Sequence, residues 1–242
     1  MKACFYKRIF PALASAALLL HFLPVQCAAT DAFLPGAAMS LPRALHSATV
    51  LTNGKVLVAG GVSTNASGSF IGLTNAEVFN PAANSWTTVG SMAKPRQQFS
   101  ATLLADGKVL VAGGYDRNAG AYLKDSEIFD PTSSNWTATA SMLTNRDDHT
   151  AVMLTNGLVL VVGGQVNDFV LARTVELYDP TTGTWARTNG PATPRYSASV
   201  TLLADGRVLL AGGQNSNFTA VATAELFDPA TRTWSEIGRA HV

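Results

Sequence analysis

The chain has 242 residues, which is enough for one large domain or two small ones with a substantial core. Hydrophobic residues make up 47% and charged residues 14%, a composition that excludes a disordered chain and a coiled coil. The net charge is +1, without the concentrated basic face of a nucleic-acid binder, so we expect no nucleic-acid partner. Two cysteines are too few for a disulfide scaffold or a cysteine-based zinc site.

Residues 1–29 have the three parts of a secretory signal peptide. A basic start containing Lys2 and Arg8 precedes the apolar run of residues 9–20, and small residues follow at 27–29. Because the apolar run is too short to cross a bilayer, the sequence predicts export to the extracellular space or the periplasm. It predicts no transmembrane segment in the mature chain. We expect cleavage near residues 27–29, with lipid anchoring through Cys27 as the alternative.

The rest of the chain contains four copies of one repeat. Each copy has an apolar run that ends in Gly-Gly, and the second glycine recurs after 53, 50 and 49 residues. A glutamate and a tryptophan follow in every copy at matching distances. The markers are Gly61, Gly114, Gly164 and Gly213, then Glu77, Glu127, Glu176 and Glu225, then Trp86, Trp136, Trp185 and Trp234. Independent markers that keep one period indicate a repeat architecture.

Each copy is predicted to form four short strands, and none shows helical periodicity. An Asn-Gly or Asp-Gly dipeptide follows the first apolar run, which is the strongest short signal for a β-hairpin turn. The second strand is nearly all apolar, as expected where both faces of a sheet are covered, and its double glycine lets a neighbouring backbone approach. The third strand ends at an Asn-Pro or Asp-Pro turn, and the fourth begins at the tryptophan. The chain is therefore predicted to be all-β, with four-stranded sheets arranged as the blades of a β-propeller.

The order of these markers resembles the kelch repeat, and the period agrees with it. In the second copy the resemblance is carried by Arg96, Asp106, Gly107, Gly113, Gly114, Glu127, Asp130, Pro131 and Trp136. It covers residues 33–240 and implies a kelch-type propeller of the galactose-oxidase-like superfamily. One domain is expected over residues 30–242, with blades at about residues 43–92, 96–142, 146–191 and 195–240.

Residues 32–39 align with the fourth strand of the first copy, with Phe33 in the position of Trp86. The chain would then begin with a leading fourth strand and continue with four complete blades. Because kelch propellers usually have six or seven blades, the resemblance implies a truncated part of such a ring. A genuine four-bladed ring is the alternative.

Strand alternation sorts the loops onto two faces, a repetitive one with the tight turns and a variable one. Loops on a rigid scaffold commonly carry binding residues. The predicted ligand-binding residues on the variable face are Tyr115, Arg117, Asn167 and Asp168 in the loops and Arg43, Arg96, Arg146 and Arg195 in the connections between blades. Because guanidinium groups pair with carboxylates, the four arginines predict capture of an acidic group. The alternative is that each arginine ties its blade to the next through the recurring glutamate.

We expect an exported binding module whose partner is a protein or a carbohydrate, with an acidic ligand as one possibility. The alternative implied by the resemblance is a fragment of a carbohydrate-active kelch enzyme, oxidase-like or mutarotase-like. Asp147, Asp148 and His149 form the densest metal-like cluster, but the matching His46 lies in a blade that is not adjacent. The copper-radical oxidases need a cysteine that the mature chain lacks, and no nucleophile–base, phosphate-loop or zinc motif is visible. The sequence therefore predicts no catalytic residue, no metal site and no cofactor.

Overall fold

The computed structural model describes residues 36–237, so the predicted signal peptide and residues 32–35 of the predicted leading strand lie outside the described residues. All regular elements within that range are β-strands, which confirms the all-β prediction. No helix in residues 36–237 is long and apolar enough to cross a membrane.

The structure contains four antiparallel four-stranded sheets, one for each repeat, and each sheet keeps its strands in chain order. The first blade has strands Ser47–Val50, Val56–Ala59, Ala76–Asn80 and Ser85–Val89. The second has Ser100–Leu103, Val109–Ala112, Ser126–Asp130 and Asn135–Thr139. The third has Thr150–Met153, Val159–Val162, Thr174–Asp179 and Thr184–Asn189. The fourth has Ser199–Leu202, Val208–Ala211, Ala224–Asp228 and Thr233–Ile237. The predicted four-stranded sheets, one for each repeat, are confirmed.

A short hairpin connects the second and third strands of each blade. In the first three blades it is a two-stranded sheet, formed by Val62–Thr64 with Phe70–Gly72, Tyr115–Asp116 with Ala121–Tyr122, and Gln165–Asn167 with Val170–Leu171. In the fourth blade it has one bridge, between Gln214 and Ala220. These hairpins and the connections between blades lie at one end of the strands, the hairpin face. The Asn/Asp-Gly and Asn/Asp-Pro turns lie at the opposite end, the turn face.

The core lies between successive blades. Leu57 and Ala59 of the first blade pack in one cluster with Val109 and Val111 of the second, and the first strands of neighbouring blades lie side by side. Every residue of the second strand Val109–Ala112 is buried, as its continuous apolar sequence predicts for a strand that is covered on both faces. Burial of each such side chain contributes about 1.5–3 kcal/mol.

The two end blades each leave one apolar face partly uncovered. In the first blade Val50 is 62% exposed, and Phe79 is half-buried where Phe129 and Phe227 are fully buried. In the fourth blade Leu209 is half-buried at the position of the buried Leu57. The number of blades in a complete ring stays a prediction.

The segment before the first blade repeats the geometry of a connection between blades. Trp86 Nε1 donates to the carbonyl oxygen of Ala37 at 2.8 Å. The equivalent bonds elsewhere run from Trp136 to Gly90, from Trp185 to Ala140 and from Trp234 to Asn189. Residues 36–40 therefore occupy the place of a connection that follows a fourth strand, which agrees with the alignment of residues 32–39.

Candidate functional site

The four recurring arginines are buried inside the blades. The side chains of all four are 0% exposed, and in each the Nη2 atom donates to a glutamate Oε1 at 2.8 Å. The pairs are Arg43 with Glu77, Arg96 with Glu127, Arg146 with Glu176, and Arg195 with Glu225. A buried charge persists only when it is paired and hydrogen-bonded, and each arginine meets that condition through its glutamate.

The second blade shows what the pair does. Arg96 Nη1 donates to the carbonyl oxygens of Gly113 and Asp125 at 2.9 and 3.0 Å. Glu127 Oε2 accepts from the backbone N–H of Ala93 at 2.9 Å, so the pair fastens the incoming connection to the third strand. These contacts match the structural alternative. In this structure the four guanidinium groups are not accessible to a ligand. They therefore do not support the hypothesis of an acidic ligand.

His149 is also part of the blade interior. Its Nε2 lies 2.9 Å from Ser100 Oγ, and burial together with the nearby charge of Arg146 lowers its pKa to about 3. Among residues 36–237, no three His, Cys, Asp or Glu side chains are grouped as a metal site requires.

Neighbouring hairpins are joined to each other on the hairpin face. Gly72 N donates to Asn118 Oδ1 at 2.8 Å, and Asn118 Nδ2 donates back to Gly72 O at 3.3 Å, which links the first and second hairpins. Tyr122 Oη donates to Asp168 Oδ1 at 2.7 Å, which links the second and third. These contacts join the hairpins into a continuous rim.

Large apolar side chains are exposed along this rim. Phe169 and Phe218 are 62% and 60% exposed, and their rings meet edge to face at 5.6 Å, linking the third and fourth hairpins. Phe70 is 57% exposed, with the Arg117 guanidinium 5.3 Å from its ring centroid. A groove of about 350 Å³ beside the phenylalanine pair is lined by Phe169, Val170, Leu171, Arg173, Thr193, Pro194, Asn215 and Ser216. Exposed apolar patches with polar margins are typical of interaction surfaces.

The four predicted loop residues all lie on the rim. The Tyr115 ring packs edge-on against the Tyr122 ring at 5.1 Å, Arg117 covers Phe70, and Asp168 accepts the Tyr122 hydroxyl. Asn167 is exposed in the third hairpin. Their binding role stays a prediction. Tyr115 and Asp168 both contact Tyr122, whereas Arg117 lies against Phe70 of the first hairpin.

Sequence reasoning did not single out the position that follows each recurring arginine, although it named Asp147 within the metal-like cluster. This position holds Ala44, Gln97, Asp147 and Tyr196 in the four blades, and each of these residues is bridged to the first residue of its own hairpin. Burial raises the pKa of Asp147 to about 7, and the charges of Asp148 and Asp168 add to the shift. The signal in the sequence was a residue that differs between repeats and directly follows an arginine that recurs in every repeat.

Comparisons with known proteins agree with this architecture. The family model described as the KLHDC2/KLHL20/DRC7 Kelch-repeats domain matches residues 45–241. A solved structure, titled "Structure of YjhT", superposes with a TM-score of 0.72 at 15% identity, over 81% of this chain and 71% of that chain. At that identity the likeness shows the fold alone. No curated protein matches the chain in sequence.

Proposed function

Because the chain belongs to the kelch-repeat family, we propose that it is an exported interaction module that binds a protein through the rim of its hairpin face. The kelch fold serves both interaction modules and enzymes. The rim of exposed aromatic side chains is the observation that favours an interaction module. Binding proteins concentrate such side chains at the centre of their interfaces.

The distribution of exposed apolar side chains supports this choice of face. Of the nine large hydrophobic residues that are exposed in residues 36–237, seven lie on hairpins or on connections between blades. These seven are Leu45, Phe70, Ile71, Leu143, Phe169, Val170 and Phe218. The other two, Val50 and Ile237, lie in strands of the end blades, so none of the nine belongs to a turn on the opposite face.

Amine-specific crosslinking tests the face directly, because each face carries two lysines. Lys94 lies on the connection between the first two blades and Lys124 follows the second hairpin, whereas Lys55 and Lys108 follow the tight turns. The chain is crosslinked to its partner proteins in native extract, and the linked lysines are identified by mass spectrometry. We expect links at Lys94 and Lys124. Links confined to Lys55 and Lys108 would place the partner on the turn face and contradict the proposal.

A rim variant sharpens the same test. Replacing Phe169 and Phe218 by serine removes the exposed ring pair, and we expect recovery of crosslinked partner to fall at least tenfold, since aromatic anchors dominate interfaces. The melting temperature should not fall, because both rings are mostly exposed. The matched control replaces Lys55 and Lys108 on the turn face by serine and should keep partner recovery at the wild-type level.

Export is the second part of the proposal. It is supported by the basic start, the short apolar run and the small residues at 27–29. N-terminal sequencing of the chain recovered outside the cytoplasm should find a start between residues 28 and 30. A cytoplasmic chain that keeps residues 1–20 would contradict export, whereas a lipid on Cys27 would establish the anchored alternative.

A further inference from the structure

One position on the hairpin face keeps its backbone geometry in every blade while its side chain changes. It is the residue after the buried arginine, and it forms an antiparallel bridge with the first residue of the hairpin. The bridged pairs are Ala44 with Val62, Gln97 with Tyr115, Asp147 with Gln165, and Tyr196 with Gln214. Side chains that lie directly opposite in an antiparallel pair project to the same side. The four pairs therefore have the same backbone geometry but carry different side chains.

In the fourth blade this pair satisfies its own hydrogen bonds, because Tyr196 Oη donates to Gln214 Oε1 at 2.5 Å. The third and second blades differ. Asp147 is 7% exposed and Gln97 is 6% exposed, and neither Asp147 Oδ1 nor Gln97 Oε1 has a hydrogen-bond donor within the described residues. A buried acceptor without a donor costs about 1–3 kcal/mol. Such a cost is expected where a ligand supplies the missing donor.

The charges around Asp147 have one sign. Asp148 and Asp168 both raise its pKa, after burial as the main cause. No Lys, Arg or His nitrogen lies within 4.0 Å of these three carboxylates in residues 36–237. Arg146 adjoins Asp147 in sequence, but its guanidinium is occupied by Glu176. Within residues 36–237, no opposite charge lies close enough to relieve this crowding.

Two neighbours of the acids donate hydrogen bonds to them without neutralising their charge. Tyr122 Oη donates to Asp168, and burial with this bond and the charge of Asp147 raises the pKa of Tyr122, so the phenol stays neutral. Ser197 Oγ donates to Asp148. Among the described residues, the side chains that donate to Asp168 and Asp148 are the neutral hydroxyl groups of Tyr122 and Ser197.

The spacing of the acids favours an organic cation over a metal ion. No three acidic or histidine side chains in the described part of the chain are close enough together to share a metal. A guanidinium or ammonium group has several donors on a flexible stem and can reach separated acceptors. The Tyr115 and Tyr122 rings, 5.1 Å apart, form an aromatic wall against which such a stem can pack.

We propose that a lysine or arginine side chain of the protein partner inserts between the second and third hairpins and pairs with Asp147 and Asp168. This inference rests on the proposed function, because it gives the chemistry of the partner at the rim. It reverses the charge of the ligand that the sequence suggested. The recurring arginines are already paired with glutamates, whereas Asp147 Oδ1 is buried without a donor and Asp168 is exposed on the hairpin face.

The test is an NMR titration of the full chain with N-acetyl-arginine methylamide and N-acetyl-lysine methylamide at pH 8. We expect saturable shifts of the backbone amides of Tyr122 and Asp168, and none with N-acetyl-glutamate methylamide. Asp147→Asn should weaken binding of the cationic probes at least tenfold. The matched control, Asp106→Asn on the turn face, should leave it unchanged. Affinity should fall about tenfold from pH 8 to pH 6, because a carboxyl with a pKa near 7 is then mostly protonated.

Several outcomes would overturn the inference. These are equal binding of the glutamate derivative, the absence of saturable shifts, or unchanged affinity in Asp147→Asn. If that variant does not fold, Asp168→Asn carries the same test, because Asp168 is exposed. Partner crosslinking separates the two proposals. Recovery that depends on Phe169 and Phe218 but not on Asp147 would reject the cation site and keep the interaction module, whereas recovery that depends on neither would reject both.

Discussion

The two ends of the blades come from the same repeat, but different things recur at each end. On the turn face the side chains recur. Asn53, Asp106, Asn156 and Asp205 each accept, through Oδ1, a hydrogen bond from the backbone N–H two residues later, at 3.0–3.2 Å. On the hairpin face only the backbone bridges recur, and the side chains at the bridged positions differ. In this repeat protein, the side chains that recur stabilise the blade, whereas the hairpin face is where side chains vary on a constant backbone.

The recurring arginines test this comparison. They adjoin the hairpin face, but their side chains are buried and stabilise the blades. Replacing Arg96 and Arg146 by glutamate should abolish the fold. Each change places a second carboxylate beside a buried glutamate, and breaking a buried pair costs about 3–5 kcal/mol, so the sum approaches the whole stability of a typical domain. Far-UV circular dichroism and thermal melting measure the effect.

The matched control reverses two arginines that lie on the rim. Arg117 and Arg173 are exposed, so replacing both by glutamate should change stability by no more than about 0.5 kcal/mol. If the Arg96 and Arg146 double variant instead kept its β-type circular dichroism and no longer bound its partner, the arginines would be binding residues. Recurrence of a side chain would then not indicate a structural role.

A pair of glycines separates backbone strain from close packing. Gly157 in a tight turn and Gly164 at the end of a second strand have similar φ values of +85° and +90°. A Cβ atom at Gly157 would meet nothing within 4 Å, whereas one at Gly164 would lie against the Asp147 carbonyl oxygen and 2.8 Å from His149 Cβ. Alanine at Gly157 should therefore cost about 1–2 kcal/mol.

Alanine at Gly164 bears the same strain and must also displace a backbone, so we expect a cost above about 3 kcal/mol. Urea unfolding of both variants measures the difference. Equal costs would mean that the close approach of the connection to the second strand contributes nothing, and that Gly-Gly recurs for its φ angles alone.

The blade frame could be predicted because its signals are local. Asn53 and Gly54 mark the first hairpin turn. Gly54 has a positive φ of 77°, as a type I′ turn requires, but Asn53 does not, and the turn runs from Leu51 to Lys55. The partner of an arginine is not a local property. Arg96 and Glu127 are separated by 31 residues, and the sequence alone could not decide whether the guanidinium faces a ligand or that glutamate.

The rim was less predictable for two physical reasons. Strands of two residues, such as Tyr115–Asp116, are too short to show alternation. The contacts that join the hairpins connect residues far apart in the chain, such as Tyr122 and Asp168, which are 46 positions apart. The left-handed residues Leu45, Gln98, Asp148 and Ser197 likewise share no residue type. Their conformation follows from the backbone bonds that join successive blades.

The smallest expected effect is at His149. The residue at this position differs between blades, yet His149 is buried, so variation alone does not mark an accessible side chain. Phe99 fills the same place in the second blade, which makes His149→Phe a matched substitution. At pH 7 the variant should lose about 1 kcal/mol, since the Ser100 hydroxyl loses its partner.

The contribution of His149 to the free energy of unfolding depends on pH. Its pKa is lowered to about 3 in the folded chain, so below pH 6.5 only the unfolded chain takes up the proton. The histidine contribution to stability is therefore present above pH 6.5 and is lost as pH falls, by about 2 kcal/mol at pH 5. His149→Phe removes this loss, so urea midpoints should show the variant less stable than wild type at pH 7 and more stable at pH 5. If the urea midpoints of wild type and variant differed by the same amount at both pH values, His149 would have the same pKa in the folded and the unfolded chain. It would then be grouped with the varying residues of the hairpin face.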